Sequence, residues 1–204
     1  MPRLTDTAAI HLNGAVSARL VSHLERSFII EATLDLHKGA AFFGTKPPLH
    51  FHVQEEYIEA TQGKIVLEID GVEKVLTPTH GRVTIPPYLH HRSFPAPLSA
   101  QGEGPDNHIV KFLLSGEKKS ATQGGGGFEP NAVFFENWYK YQDEIVIHGG
   151  KVDLIQVLCT FDAGGTYVSF PWWVPMGKTV SIVLGIVVGR WIGSGLLGYQ
   201  PLHR

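Results

Sequence analysis

Cysteine is nearly absent. The chain of 204 residues has one, Cys159, so no disulfide forms within it and the fold has to stand on packing alone. Set between Leu158 and Thr160 in an apolar run, that thiol reads as core filler rather than as a nucleophile. An excess of charge of either sign is missing as well. Seventeen basic residues against 19 acidic ones leave a formal net charge of -2, which gives no basic field for a phosphate backbone and makes nucleic acid an unexpected partner. The first twenty residues lack the basic start and unbroken apolar run of a secretory signal, and the expected location is the cytoplasm.

Histidine, by contrast, is plentiful. Of eleven, His11, His23, His37, His80, His108, His148 and His203 stand apart in sequence and read as surface or satisfied polar residues. The other four group together. Residues 44–63 carry His50, His52 and Glu56 as His-x-His-x3-Glu, framed by Gly44 and Gly63 in a stretch that reads as strand. In an extended chain these three share one parity and leave one face of a sheet. Two imidazoles and a carboxylate on one face suit a divalent ion, and a further ligand has to come from a strand distant in sequence. His90-His91, behind the rigid Pro86-Pro87-Tyr88, can supply it.

From about residue 15 to residue 115, short apolar or alternating runs recur between turn residues. Ser27–Leu34, Tyr57–Ala60, Lys64–Ile69, Glu73–Leu76, Gly81–Ile85 and His108–Leu114 read as strands, with Asp70-Gly71 as a hairpin turn. That pattern predicts an antiparallel sandwich or barrel. Three segments are expected: a β-barrel with an N-terminal arm over 1–117, a glycine-rich linker or lid over 118–130, and a helical, apolar extension over 131–204. Pro130 opens a predicted amphipathic helix with apolar residues at 133, 134, 138 and 141, whose aromatic face is expected against the barrel. The stretch 179–199 is long enough to cross a bilayer and has Gly185, Gly189 and Gly193 at four-residue spacing, but Arg190 falls near its middle. Membrane contact through 179–199 and a helix covered by protein are both open at this point.

The residues carry a resemblance. Gly44, His50, His52, Glu56 and Gly63 match the first motif of the cupins, Gly-x5-His-x-His-x3-Glu-x6-Gly, without a gap. The segment from Gly81 through Pro86 to His91 resembles the second cupin motif, shortened by one residue, with Tyr88 where glycine is usual and Pro95 where asparagine closes it. The resemblance covers about residues 25–115. It implies a mainly β fold, a cupin-type antiparallel jelly-roll barrel, with His50, His52, Glu56 and His91 as metal ligands and His90 turned away. It also implies one divalent metal ion, Fe(II) in the favoured reading, with Mn, Ni or Zn as alternatives, and a homodimer.

With iron, the expected activity is that of an oxygenase on a small enolisable or phenolic molecule, with Glu56 as ligand and proton acceptor. A redox-neutral metal-dependent isomerase, cyclase or decarboxylase is the alternative, and a non-enzymatic, membrane-associated binding barrel the third. Phe42, Phe51, Tyr57 and Phe94 flank the motifs as candidate substrate contacts. Tyr88, at the rim in place of a glycine, is a candidate catalytic residue that narrows access or donates a hydrogen bond.

Overall fold

A computed structural model describes residues 9–21, 25–118, 132–171 and 173–201. The strands are β1 (Ala9–His11), β2 (Val16–Leu20), β3 (Ile29–Asp35), β4 (His50–His52), β5 (Glu56–Gln62) and β6 (Ile65–Ile69). They continue with β7 (Val72–Leu76), β8 (Arg82–Ile85), β9 (His91–Pro95), β10 (Ile109–Ser115) and β11 (Thr166–Val168). Helices α1 (Ala132–Val146), α2 (Leu154–Ala163) and α3 (Gly177–Leu184) follow the barrel, and α3 runs on into a π-helical stretch, Gly185–Leu196.

Two antiparallel sheets face each other. One is ordered β1-β2-β3-β10-β5-β8 and the other β11-β4-β9-β6-β7, the expected jelly-roll barrel with C-terminal helices. The alternation read from the sequence decides which side chains fill it. In β3, Ile30, Ala32 and Leu34 are buried while their neighbours are half-exposed, and Ile58 and Ala60 do the same in β5. Leu34, Ile58 and Ala60 join Ile65, Leu67, Leu76, Ile85 and Val110 in the core between the sheets, while Ile30 packs in a second cluster with Ala9, Ala18 and Phe28; each large aliphatic contributes about 1.5–3 kcal/mol on burial.

Two turns set the register. Asp70 and Gly71 both take positive φ (46° and 83°), the two-residue hairpin geometry, and join β6 to β7 with Ile69 opposite Val72. Gly63 turns β5 into β6 at φ 70°. A Cβ there would lie 3.0 Å from Gln101 Oε1 and 3.1 Å from the Ile109 carbonyl, so glycine is required by both conformation and space.

Three expectations are corrected. His50, His52 and Glu56 do not lie on one strand: the chain bends at residues 53–55, leaving His50 and His52 on β4 and Glu56 at the start of β5, in the opposite sheet. Residues 131–204 are not a purely helical appendage, because β11 pairs with β4 and extends the barrel, Thr166 opposite His52 and Val168 opposite His50. In α1 the residues turned to the barrel include Phe135 and Tyr139 besides Phe134 and Trp138, while Tyr141 instead bonds with its hydroxyl to the Asp153 backbone. The linker expected over 118–130 lies outside the described residues, Lys118 excepted.

The glycine-spaced stretch packs within the chain. Gly189 lies against α2 so closely that a Cβ would fall 2.7 Å from the Leu158 carbonyl oxygen, and Gly193 does the same toward Cys159 and Ile155. Cys159 Sγ donates to the Gly189 carbonyl at 2.9 Å. Arg190 is held by Asp162 of α2 through two bonds of 2.8 and 3.0 Å, so its charge is satisfied where it stands. Gly177–Leu196 is long and apolar enough to cross a membrane, by length and composition, and Val183, Trp191 and Leu196 are exposed on it.

Candidate metal centre

β4 and β9 are neighbours in one sheet, with His50 directly opposite His91. Glu56 enters from the other sheet. Its Oε2 lies 3.4 Å from His52 Nε2 and 3.4 Å from His91 Nε2. His52, Glu56 and His91 thereby form, among the described residues, a buried group whose ligand atoms all lie within 4.8 Å of one another. His50 adjoins this group: its ring centroid is 4.5 Å from that of His91 and 6.3 Å from that of His52. His90 is turned away, with Nδ1 2.7 Å from the Ser169 hydroxyl and its ring edge-on to Phe51.

Each of the three inward imidazoles is held by a backbone carbonyl two residues away. His50 Nδ1 faces the Pro48 oxygen at 3.1 Å, His52 Nδ1 the Gln54 oxygen at 2.6 Å, and His91 Nδ1 the Leu89 oxygen at 2.9 Å. A carbonyl only accepts, so Nδ1 carries the hydrogen and the lone pair is left on Nε2. The Nε2 atoms of His52 and His91 are buried and have no hydrogen-bond partner. Leaving such atoms unpaired costs about 1–3 kcal/mol each, a cost that ligation removes. Outer bonds that fix tautomer and ring direction are what a metal site requires of its histidines. The donor set therefore fits a divalent ion: His52, Glu56 and His91 would hold it, and His50 would complete the set.

The electrostatics follow the same geometry. Burial and the adjoining His91 push the His50 imidazole down to about 3, so it stays neutral. Burial would also depress His52, but Glu56 opposes it more strongly and the net shift is upward. For Glu56 burial acts to raise the carboxyl, yet His52 and His91 outweigh it and hold the group ionised far below the ordinary carboxylate range.

The cluster opens on a cavity of about 440 Å³ between the sheets, closed on one side by α1. Phe42 and Phe94 line it, together with Phe43 and Phe112 of the barrel. Phe51 does not. It has the opposite parity to His50 and His52, is wholly buried, and packs on His90 and Tyr167 outside the cavity. Tyr57 is also elsewhere, beneath the Arg26 guanidinium at 3.9 Å with its hydroxyl on Glu55. Tyr88 takes φ 63°, the left-handed conformation that explains why glycine is usual there, and its N–H donates to the His52 carbonyl at 2.8 Å. Its side chain is 46% exposed and lines no wall of the cavity, so its contribution is the backbone support of His52. The sequence directed the aromatic face of this helix, with Phe134 and Trp138, against the barrel; that the face walls a cavity, and that Phe135, Tyr139 and Gln142 share it, was not read from the sequence.

No family model matches the sequence. Among curated proteins, the probable oxidoreductase yanE of Aspergillus niger is 40% identical over 197 residues, covering 94% of this chain and 72% of that protein. An oxidoreductase of Arthrobotrys oligospora is 43% identical over 181 residues, 86% of this chain and 67% of its own length. The epoxidase atD of Aspergillus terreus is 36% identical over 159 residues, covering 78% of this chain and 46% of that protein. Among solved structures, an RmlC-like cupin from Shewanella frigidimarina aligns with a TM-score of 0.38 at 13% identity, over 57% of this chain and 86% of that one.

Proposed function

The chain belongs to the cupin superfamily and to one family with the fungal oxidoreductases just described, and from that premise we propose that it is a metal-dependent oxygenase acting on a small enolisable or phenolic molecule. The observation that carries the reading is the pair of buried, unpartnered Nε2 atoms of His52 and His91 around the ionised Glu56, at the end of an apolar cavity. A bound divalent ion, Fe(II) in the favoured reading, would supply Lewis acidity and redox chemistry toward dioxygen.

The remaining work falls to the chain's own groups. His50, held neutral, offers the lone pair of Nε2 and no competing charge. Glu56, the carboxylate of the cluster, is the group within it that can accept the proton an enol or phenol loses. The aromatic walls lower the local polarity, which strengthens electrostatic contacts made beside them. Pro48, Gln54 and Leu89 keep the imidazoles aimed through their carbonyls, so the ligand geometry is paid for in folding rather than at each turnover.

Oxygen uptake tests the reading. Protein loaded with Fe(II) is expected to consume dioxygen in the presence of ring-bearing phenols, with zinc-loaded protein and His52→Ala inactive. Conversion of such a compound by zinc-loaded protein without oxygen uptake would overturn it in favour of redox-neutral chemistry.

A further inference from the structure

Helix α1 presents one stripe to the cavity. Phe134, Phe135, Trp138, Tyr139, Gln142 and Val146 all line it, at offsets that repeat with the helical period. The rotation of the helix is fixed next to that stripe. Asp143 is held by His11 Nδ1 at 2.8 Å and accepts the Leu12 N–H, and the His11 ring stacks on Tyr139 at 5.1 Å with planes 19° apart. These contacts join the N-terminal strand to the helix and set which of its residues face inward.

Within that stripe Gln142 is out of character. Its neighbours along the wall are aromatic or aliphatic, whereas Gln142 is a half-buried primary amide that makes no hydrogen bond to another described residue. Lys46, the lysine on the cavity, is committed to Glu68 and Glu73. Among the described residues, this face of α1 therefore offers a molecule aromatic faces and one uncommitted amide, and brings no cationic side chain to the cavity. An amide can donate to and accept from a neutral oxygen substituent, and it distinguishes a ring that carries one from a ring that does not.

We propose that α1 is the recognition wall of the cavity, on which a neutral ring lies against Phe134, Trp138 and Tyr139 while Gln142 hydrogen-bonds its hydroxyl or carbonyl substituent. This deepens the oxygenase reading by naming the class of molecule and the residue that selects it. It rests on that reading only for the chemistry, not for the binding.

Equilibrium binding to the purified full chain separates the two. The probes are 2-naphthol and 2-methylnaphthalene, alike in shape and differing in the oxygen. Gln142→Leu, which keeps the volume and removes the amide, is expected to weaken 2-naphthol about three- to tenfold, the range of a single neutral hydrogen bond, and to leave 2-methylnaphthalene unchanged. Trp138→Ala is expected to weaken both. The hydrocarbon also serves as the folding control, because it binds only a formed cavity. Equal weakening of both probes by Gln142→Leu, or no change in either, overturns the role of the amide. Failure of both probes to bind the unmodified chain overturns the wall itself. Selective binding without oxygen uptake by the Fe(II)-loaded chain would sink the oxygenase and leave this inference standing.

Discussion

Glu56 meets His91 across the interior of the barrel, Oε2 3.4 Å from Nε2, although the two residues belong to opposite sheets. The bend at residues 53–55 makes this contact. Had the strand run straight from His50 through Glu56, the carboxylate would have remained in the sheet of the histidines instead of closing on them from across the core. The site is thus a bridge between sheets, and its occupation should be felt by the whole barrel.

That coupling gives the first prediction. A divalent ion that binds only the folded chain is expected to stabilise it by about 2.7 kcal/mol at one hundred times its dissociation constant, read as a rise in the urea midpoint. His52→Ala and His91→Ala should each abolish the rise and lower the metal retained after dialysis, measured by elemental analysis. An unchanged metal content in both variants would remove these residues from the ligand set.

Gly189 tests the helix pairing. A methyl group there meets the Leu158 backbone oxygen at 2.7 Å and its carbonyl carbon at 2.8 Å, atoms that cannot swing aside. Gly189→Ala is expected to destabilise the chain by about 1–3 kcal/mol, the usual cost of overpacking, with the thermal midpoint as readout. Gly195, where the nearest such contact is the Arg190 carbonyl oxygen at an ordinary 3.5 Å, is the control position: Gly195→Ala should not lower the midpoint.

Acid sensitivity should arise in part from Glu68. Arg92 holds this buried carboxylate through bonds of 2.8 and 3.1 Å, with Lys46 beside it, and its pKa is lowered chiefly by Arg92. A depressed folded-state pKa means that the unfolded chain takes up the proton first as pH falls. The stabilisation is therefore present above about pH 4.5 and lost below it. Glu68→Gln is expected to cost about 2 kcal/mol near neutral pH, a charged hydrogen-bonded pair being replaced by a neutral one, and to flatten the fall in stability below pH 4.5. Urea titrations at a series of pH values measure both. Arg92 also reaches the Pro47 carbonyl at 3.3 Å, so the same variant should loosen the edge of the cavity at residues 46–48.

What could be read from the chain depended on the range of the physics involved. The Asp70-Gly71 hairpin and the alternation in β3 and β5 were legible, because turn conformations and strand parity are decided by residues within a few positions of each other. The short arms β1 and β2, and β11 within a helical region, were not: three to five residues carry too little pattern, and only pairing to β3 and β4 makes them strands.

The sequence by itself determined that four histidines and a glutamate stand close together at motif spacing, that the chain needs no disulfide, and that Gly63 must turn. Tertiary structure decided the rest of the site. It carried Glu56 to the opposite sheet, assigned Phe51 and Tyr57 to packing, reduced Tyr88 to a backbone support for His52, and brought α1 over the cavity with Gln142 facing in. Residue type and spacing limit which groups can meet. Which of them do meet depends on how two sheets and a helix pack, and that is settled only by contacts between residues far apart in the chain.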